Sequence, residues 1–86
     1  MYQVIILPKA LGILESLDKV TANRILDKLL WLSENFDNLI PLPLKGAFLG
    51  TYKLRVGDWR AIYTFDRDRH IITIHLIGHR RDIYKL

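Results

Sequence analysis

Cysteine is absent from the 86 residues. That excludes disulfides and thiolate zinc sites, so the fold rests on packing alone. It also fits a reducing cytoplasm. No apolar run approaches the ~18 residues that a membrane-spanning helix needs. The opening stretch, Met1-Tyr2-Gln3-Val4-Ile5-Ile6-Leu7-Pro8, has no basic start and only a short apolar run, unlike a signal peptide. No acidic cluster suits magnesium, and His70, His75 and His79 do not form a metal-ligating pattern. Gly46, Gly50 and Gly57 do not make a phosphate-binding loop, since none sits between a strand and a following helix. Gly-x-Ser-x-Gly is missing too. Neither a metal nor a cofactor is expected.

What is present is apolar and basic. Half of the residues are hydrophobic, which argues against disorder. The length implies one domain over residues 1–86, burying roughly 60–65% of its unfolded surface. The net charge of +4 is uneven. Residues 1–44 carry four Lys and Arg against five Asp and Glu, whereas residues 45–86 carry nine against four. A basic second half points to an anionic partner, nucleic acid first. The plainer alternative is solubility.

Residues 2–7 read as a short buried strand ended by Pro8. Lys9 to Leu17 reads as a helix with Ala10, Ile13, Leu14 and Leu17 on one stripe. Asp18 is an N-cap candidate for a second helix to about Asn35. Its stripe is Ala22, Ile25, Leu26, Leu29, Leu32, Ser33 and Phe36. Trp31 falls near the polar side, where it marks a partner surface or packs against a neighbouring loop. Residues 37–50 are broken by two prolines and two glycines and read as a loop pinned by Leu42, Leu44 and Phe48. Strands are expected at 51–56, 59–65 and 71–77. The order β-α-α-β-β-β predicts an α+β domain: an N-terminal helical hairpin on a mainly antiparallel four-stranded sheet.

The stretch YKLRVGDWRAIYTF (52–65) fixes where the cations fall. Gly57-Asp58 suits a two-residue type II′ hairpin loop. The register then pairs Val56 with Trp59, Arg55 with Arg60, and Lys53 with Ile62. Tyr52, Leu54, Val56, Trp59, Ala61, Tyr63 and Phe65 share an apolar face toward the helices. Lys53, Arg55 and Arg60 share the other. Like charges directly opposed cost an amount comparable to the ~0.2–1 kcal/mol of favourable cross-strand pairs. In a meander the end of the third strand lies beside the start of the second. Arg80, with Arg81 and His79, is therefore expected near Arg55 and Arg60. A phosphate-binding surface accounts for such convergence. The alternative has the arginines splayed into water, with Asp58 and Asp82 as ion-pair partners.

The chemistry open to such a face is metal-free phosphodiester cleavage by internal attack of an RNA 2′-OH. DNA lacks that nucleophile. Lys53 is a candidate base, because the neighbouring guanidinium groups disfavour its charged form. Arg55, Arg60 and Arg80 are candidates for phosphate clamping. His79 is a candidate proton donor or acceptor, and Tyr84 a candidate for stacking or positioning. Lys45 and Arg81 are candidate substrate contacts.

The segments LKGAFLGTYKLRVGDWRAIYTF (44–65) and IGHRRDIY (77–84) resemble the RelE/ParE superfamily of toxins from toxin–antitoxin modules. The likeness spans nearly the whole chain. It implies the β-α-α-β-β-β fold, and for RelE-type members a messenger-RNA endonuclease that acts in the ribosomal A site and so inhibits translation. By resemblance, Lys53, Arg55, Arg60, Arg80 and Tyr84 carry the active-site roles. Arg55 stands where relatives often have Lys. Arginine is a poor base because its pKa exceeds ~12, so proton abstraction shifts to Lys53 or His79. The segment between Arg80 and Tyr84 is shorter than in some relatives.

The resemblance also implies a cognate antitoxin, expected to dock acidic amphipathic segments on the basic face or the helical hairpin. Operator DNA is implied only through that antitoxin, and no membrane is involved. ParE-type members share the fold but inhibit DNA gyrase and are not nucleases, which makes them the main rival. A nontoxic RNA- or phosphate-binding module is the third reading.

Overall fold

The computed structural model describes residues 1–85. Strand β1 (Gln3–Ile6) leads into helix α1 (Pro8–Ser16). Pro8 occupies the first helical turn, where its fixed φ fits and its missing N–H goes unused. Helix α2 (Lys19–Asn35) starts at Asp18, whose carboxylate accepts from the Thr21 N–H at 3.1 Å. A 3-10 turn at Phe36–Asn38 closes the helix. Strands β3 (Tyr52–Val56), β4 (Trp59–Asp66) and β5 (Ile71–His79) follow as an antiparallel meander.

Among the described residues the sheet has five strands rather than four, with β2 (Leu42–Pro43) added, in the order β1-β5-β4-β3-β2. The extra strand lies in the segment expected to be loop and pairs with Lys53 and Tyr52. Two prolines hold this stretch extended, and Pro43, lacking a donor, suits a sheet edge. At the other edge β1 runs parallel to β5, with Val4 opposite Ile72. The two helices return the chain far enough for a parallel crossover.

Both helices pack on one face of the sheet. Ala10, Leu14, Ile25, Leu29, Leu32 and Phe36 meet Leu54, Ala61, Tyr63, Ile72, Ile74 and Ile77 there. Burial pushes the Tyr63 phenol up to about 12. Leu26, expected within the α2 stripe, is 44% exposed, because it lies at the stripe's margin. Across β4 and β5 the register shifts between Ile62, opposite Leu76, and Tyr63, opposite Ile74. His75 is thus the extra residue of a β-bulge. Its Nε2 lies 2.7 Å from Thr64 Oγ1.

The bulge also lets Leu76 join Ile62 in a second, smaller core, apart from the one beneath the helices. Ile83, from a 3-10 turn at Ile83–Lys85, seals it, with Leu44 and Phe48 packed alongside. The face expected to be open is therefore partly roofed by the loop after β2 and by the chain after β5.

Candidate functional site: the Gly57–Asp58 hairpin end

The predicted register of β3 and β4 is the observed one: Val56 pairs with Trp59, Arg55 with Arg60, and Lys53 with Ile62. Gly57 takes a left-handed φ of 58°, and Asp58 does not, as a type II′ loop requires. The hairpin end thereby becomes the meeting point of several cations.

Among the described residues Arg60 is one of two buried polar or charged ones, at 8% exposure. It does not splay into water beside Arg55. Its Nη1 donates to Gly57 O and to Trp59 O, each at 2.8 Å. This ties the guanidinium to the turn and relieves repulsion across the Arg55–Arg60 pair. Arg80 extends the chain past β5 onto the same turn. Its N–H donates to Asp58 O at 2.7 Å, and its Nε lies 3.4 Å from Asp58 Oδ1. Both side chains of that ion pair are more than half exposed, so it holds Arg80 only loosely.

Lys53 and Arg55 stand at the β3 edge, and Arg55 is exposed. Strand β2 covers this edge only as far as Lys53, leaving Leu54 to Val56 without a neighbour there. Both cations line a cavity of about 240 Å³ together with Lys28 and Trp31 of α2. Arg24 reaches the turn from the same helix: a Cβ on Gly57 would lie 3.3 Å from its Nη2.

The remaining candidates are more scattered. His79 pairs with Trp59 across the strands, its ring 5.6 Å away and edge-on. Trp59 packs against the main core, so His79 belongs to the helix side rather than with Lys53. Its Nδ1 accepts from the Arg81 N–H at 3.2 Å. Arg81 itself is exposed. Tyr84 is 45% exposed and meets Phe48 edge-on at 6.4 Å, over the smaller core. Lys45 is exposed in the loop that roofs this core, its carbonyl accepting from the Phe48 N–H. Among the described residues, no group of three or more His, Asp or Glu is placed to hold a metal ion.

The structure therefore gathers Arg55, Arg60 and Arg80 at one hairpin end, with Lys53 two residues along β3. It does not bring His79 to them. From α2, sequence reasoning singled out Trp31 as a partner surface or loop contact and missed Arg24 and Lys28. Arg24, Lys28 and Trp31 recur at helical spacing, a signal that could have flagged them.

Comparisons with known proteins agree with this architecture. The family model described as "ParE toxin of type II toxin-antitoxin system, parDE" matches residues 4–84. The toxin–antitoxin complex RelBE2 from Mycobacterium tuberculosis contains a chain 24% identical, with a TM-score of 0.80, covering 92% of this chain and 98% of that one. A chain of the archaeal RelE–RelB complex from Pyrococcus horikoshii OT3 is 28% identical, with a TM-score of 0.69 and coverages of 92% and 94%. The YoeB–YefM complex from Staphylococcus aureus gives 21% identity, a TM-score of 0.70 and coverages of 92% and 97%. No curated protein sequence matches the chain.

Proposed function

We propose that this chain, which belongs to the ParE toxin family of type II toxin–antitoxin systems within the RelE/ParE superfamily, is a translation-blocking toxin that cleaves messenger RNA in the ribosomal A site. The observation that carries this reading is the hairpin end: Arg55 and Arg80 flank the Gly57–Asp58 turn as exposed guanidinium groups, with Lys53 two residues along the strand. The likeness to RelE and YoeB chains supports it.

In the proposed reaction the 2′-oxygen attacks the adjacent phosphorus as Lys53 takes its proton. Arg55 and Arg80 stabilise the charge developing on the phosphoryl oxygens. The P–O5′ bond breaks, leaving a 2′,3′-cyclic phosphate, and the departing 5′-oxygen takes a proton from water. Arg60 contributes by holding the turn that presents Arg55 and Arg80. Tyr84 positions the nucleotide. Arg81 and Lys45 add peripheral charge, and His79 is assigned no contact with the reacting atoms. A face this open needs the ribosome to align the substrate.

A cognate antitoxin is the expected protein partner, in keeping with the RelE–RelB and YoeB–YefM complexes. The site of action is the cytoplasm, and operator DNA is reached only through the antitoxin. The decisive experiment induces the toxin and maps 5′ ends of cellular message. Cuts at a fixed codon position, lost in Lys53→Ala and Arg80→Ala, are expected; uncut message in toxic cells would defeat the proposal. The match to the ParE model favours a second reading, inhibition of DNA gyrase without cleavage. Loss of supercoiling by purified gyrase on adding the toxin would support that one.

A further inference from the structure

Between α2 and the uncovered edge of β3 runs a groove of about 440 Å³. Arg24, Lys28 and Arg55 line it against a single carboxylate, Asp27. Among the described residues the ion pairs are Arg67–Asp37, Arg69–Asp66 and Arg80–Asp58, so none of the groove's cations has a carboxylate partner. Trp31 forms part of its wall and stays 40% exposed, with Lys28 Nζ 3.8 Å from the ring centroid. Three un-neutralised cations beside an aromatic ring are what a nucleotide needs: charge for its phosphate and a platform for its base.

The groove is also continuous with the site. Arg55 lines both it and the neighbouring cavity of about 240 Å³ that contains Lys53. Lys53 and Arg55 are two residues apart on one strand, about 6.6 Å, a step that successive phosphates of an extended strand can follow. We propose that this groove is a second nucleotide subsite, with a phosphate held by Arg24 and Lys28 and the adjoining base against Trp31. It takes the nucleotide next to the one at Lys53, and in that sense rests on the RNA reading above.

The test measures fluorescence anisotropy of a labelled ten-nucleotide 2′-O-methyl RNA, which cannot be cut by 2′-OH attack, with the purified protein over a salt series. Removing two groove charges in Arg24→Gln/Lys28→Gln weakens binding about tenfold. It also flattens the dependence of log affinity on log salt by about 0.7, the share of one phosphate contact. Trp31→Ala weakens binding about tenfold through lost stacking. The control Lys9→Gln/Arg69→Gln removes equal charge outside the groove and stays within about twofold. Arg24 also packs on the Gly57 turn, so Arg24→Lys separates lost packing from lost charge: it retains most of the affinity.

Groove variants that match the control, or wild-type protein that does not bind the oligonucleotide, would overturn the subsite. So would variants that lose an acidic leucine-containing peptide while keeping the oligonucleotide, which would make the groove a protein-docking site. The cleavage reading fails separately. Intact message on induction, with oligonucleotide binding still lost in the groove variants, would refute cleavage and leave the subsite standing.

Discussion

Gly78→Ala adds one methyl group, and the structure says where it lands. Gly78 sits on β5 opposite Arg60. A Cβ there would lie 2.9 Å from Ile83 Cδ1 and 3.3 Å from Ile83 Cβ. Gly78 is not at a positive φ, so the cost is steric rather than conformational. Ile83 has no exposure and seals the smaller core over Ile62 and Leu76, so its side chain cannot simply swing away. Overpacking of this kind costs about 1–3 kcal/mol. If the C-terminal turn lifts off instead, the loss is the burial of Ile83, about 1.5–3 kcal/mol. Either route predicts a loss near 2 kcal/mol, which for a domain of this size lowers Tm by roughly 8–16 °C. Thermal and urea unfolding of the four members of a Gly78→Ala, Ile83→Ala cycle would check it. Ile83→Ala alone removes a buried side chain and costs about 2–5 kcal/mol. In that background the 2.9 Å contact is gone and only the Cβ at 3.3 Å remains, so Gly78→Ala should cost clearly less than in the wild type. Full stability in the single Gly78→Ala variant, or strict additivity in the double, would refute the claimed close approach.

Arg60→Ala leaves the Gly57 and Trp59 carbonyls without their donor; urea unfolding should show a loss of about 1–3 kcal/mol, and unchanged stability would mean the turn does not depend on it. Asp58→Asn removes the carboxylate beside Arg80 but keeps the Asp58 O···H–N contact. Its stability should change by less than about 0.5 kcal/mol, while oligonucleotide binding at low salt tightens as Arg80 is freed; weaker binding would count against Arg80 as a phosphate ligand. Hydrogen bonds from the Thr21 side chain and then its backbone N–H hold the Asp18 carboxyl below its ordinary value. Asp18 therefore contributes stability above that ordinary value and loses it as pH falls through the folded one. The gap in urea midpoint between wild type and Asp18→Ala should be present near neutrality and close in acid; a gap that persists in strong acid would contradict the assignment.

The hairpin shows how far local pattern reaches. Alternation through YKLRVGDWRAIYTF, with glycine at the first loop position, admits one register that buries the apolar set, and that register is the observed one. Asp18 and the spacing of Ile25, Leu29 and Leu32 marked α2 for the same reason: caps and periodicity are local. Strand β2 escaped because two residues carry no period, and Pro43 reads as a breaker unless the edge position is known. The β5 bulge at His75 escaped because a strand's register against its neighbour is not written in either strand alone.

For the site, sequence decided which charges exist and that Arg55 faces Arg60 across β3 and β4. Tertiary structure decided what each does with that position. Arg60, by far the less exposed, folds onto the carbonyls of its own turn, because a guanidinium denied water takes the nearest acceptors. Arg80 reaches the turn because β5 runs the full length of β4 and carries the chain onto Asp58. His79 is turned to the helix side by its pairing with Trp59. Arg24, Lys28 and Trp31 join the cluster only because α2 lies across the sheet beside β3, an arrangement fixed by burial of the helix stripe and invisible to any one segment.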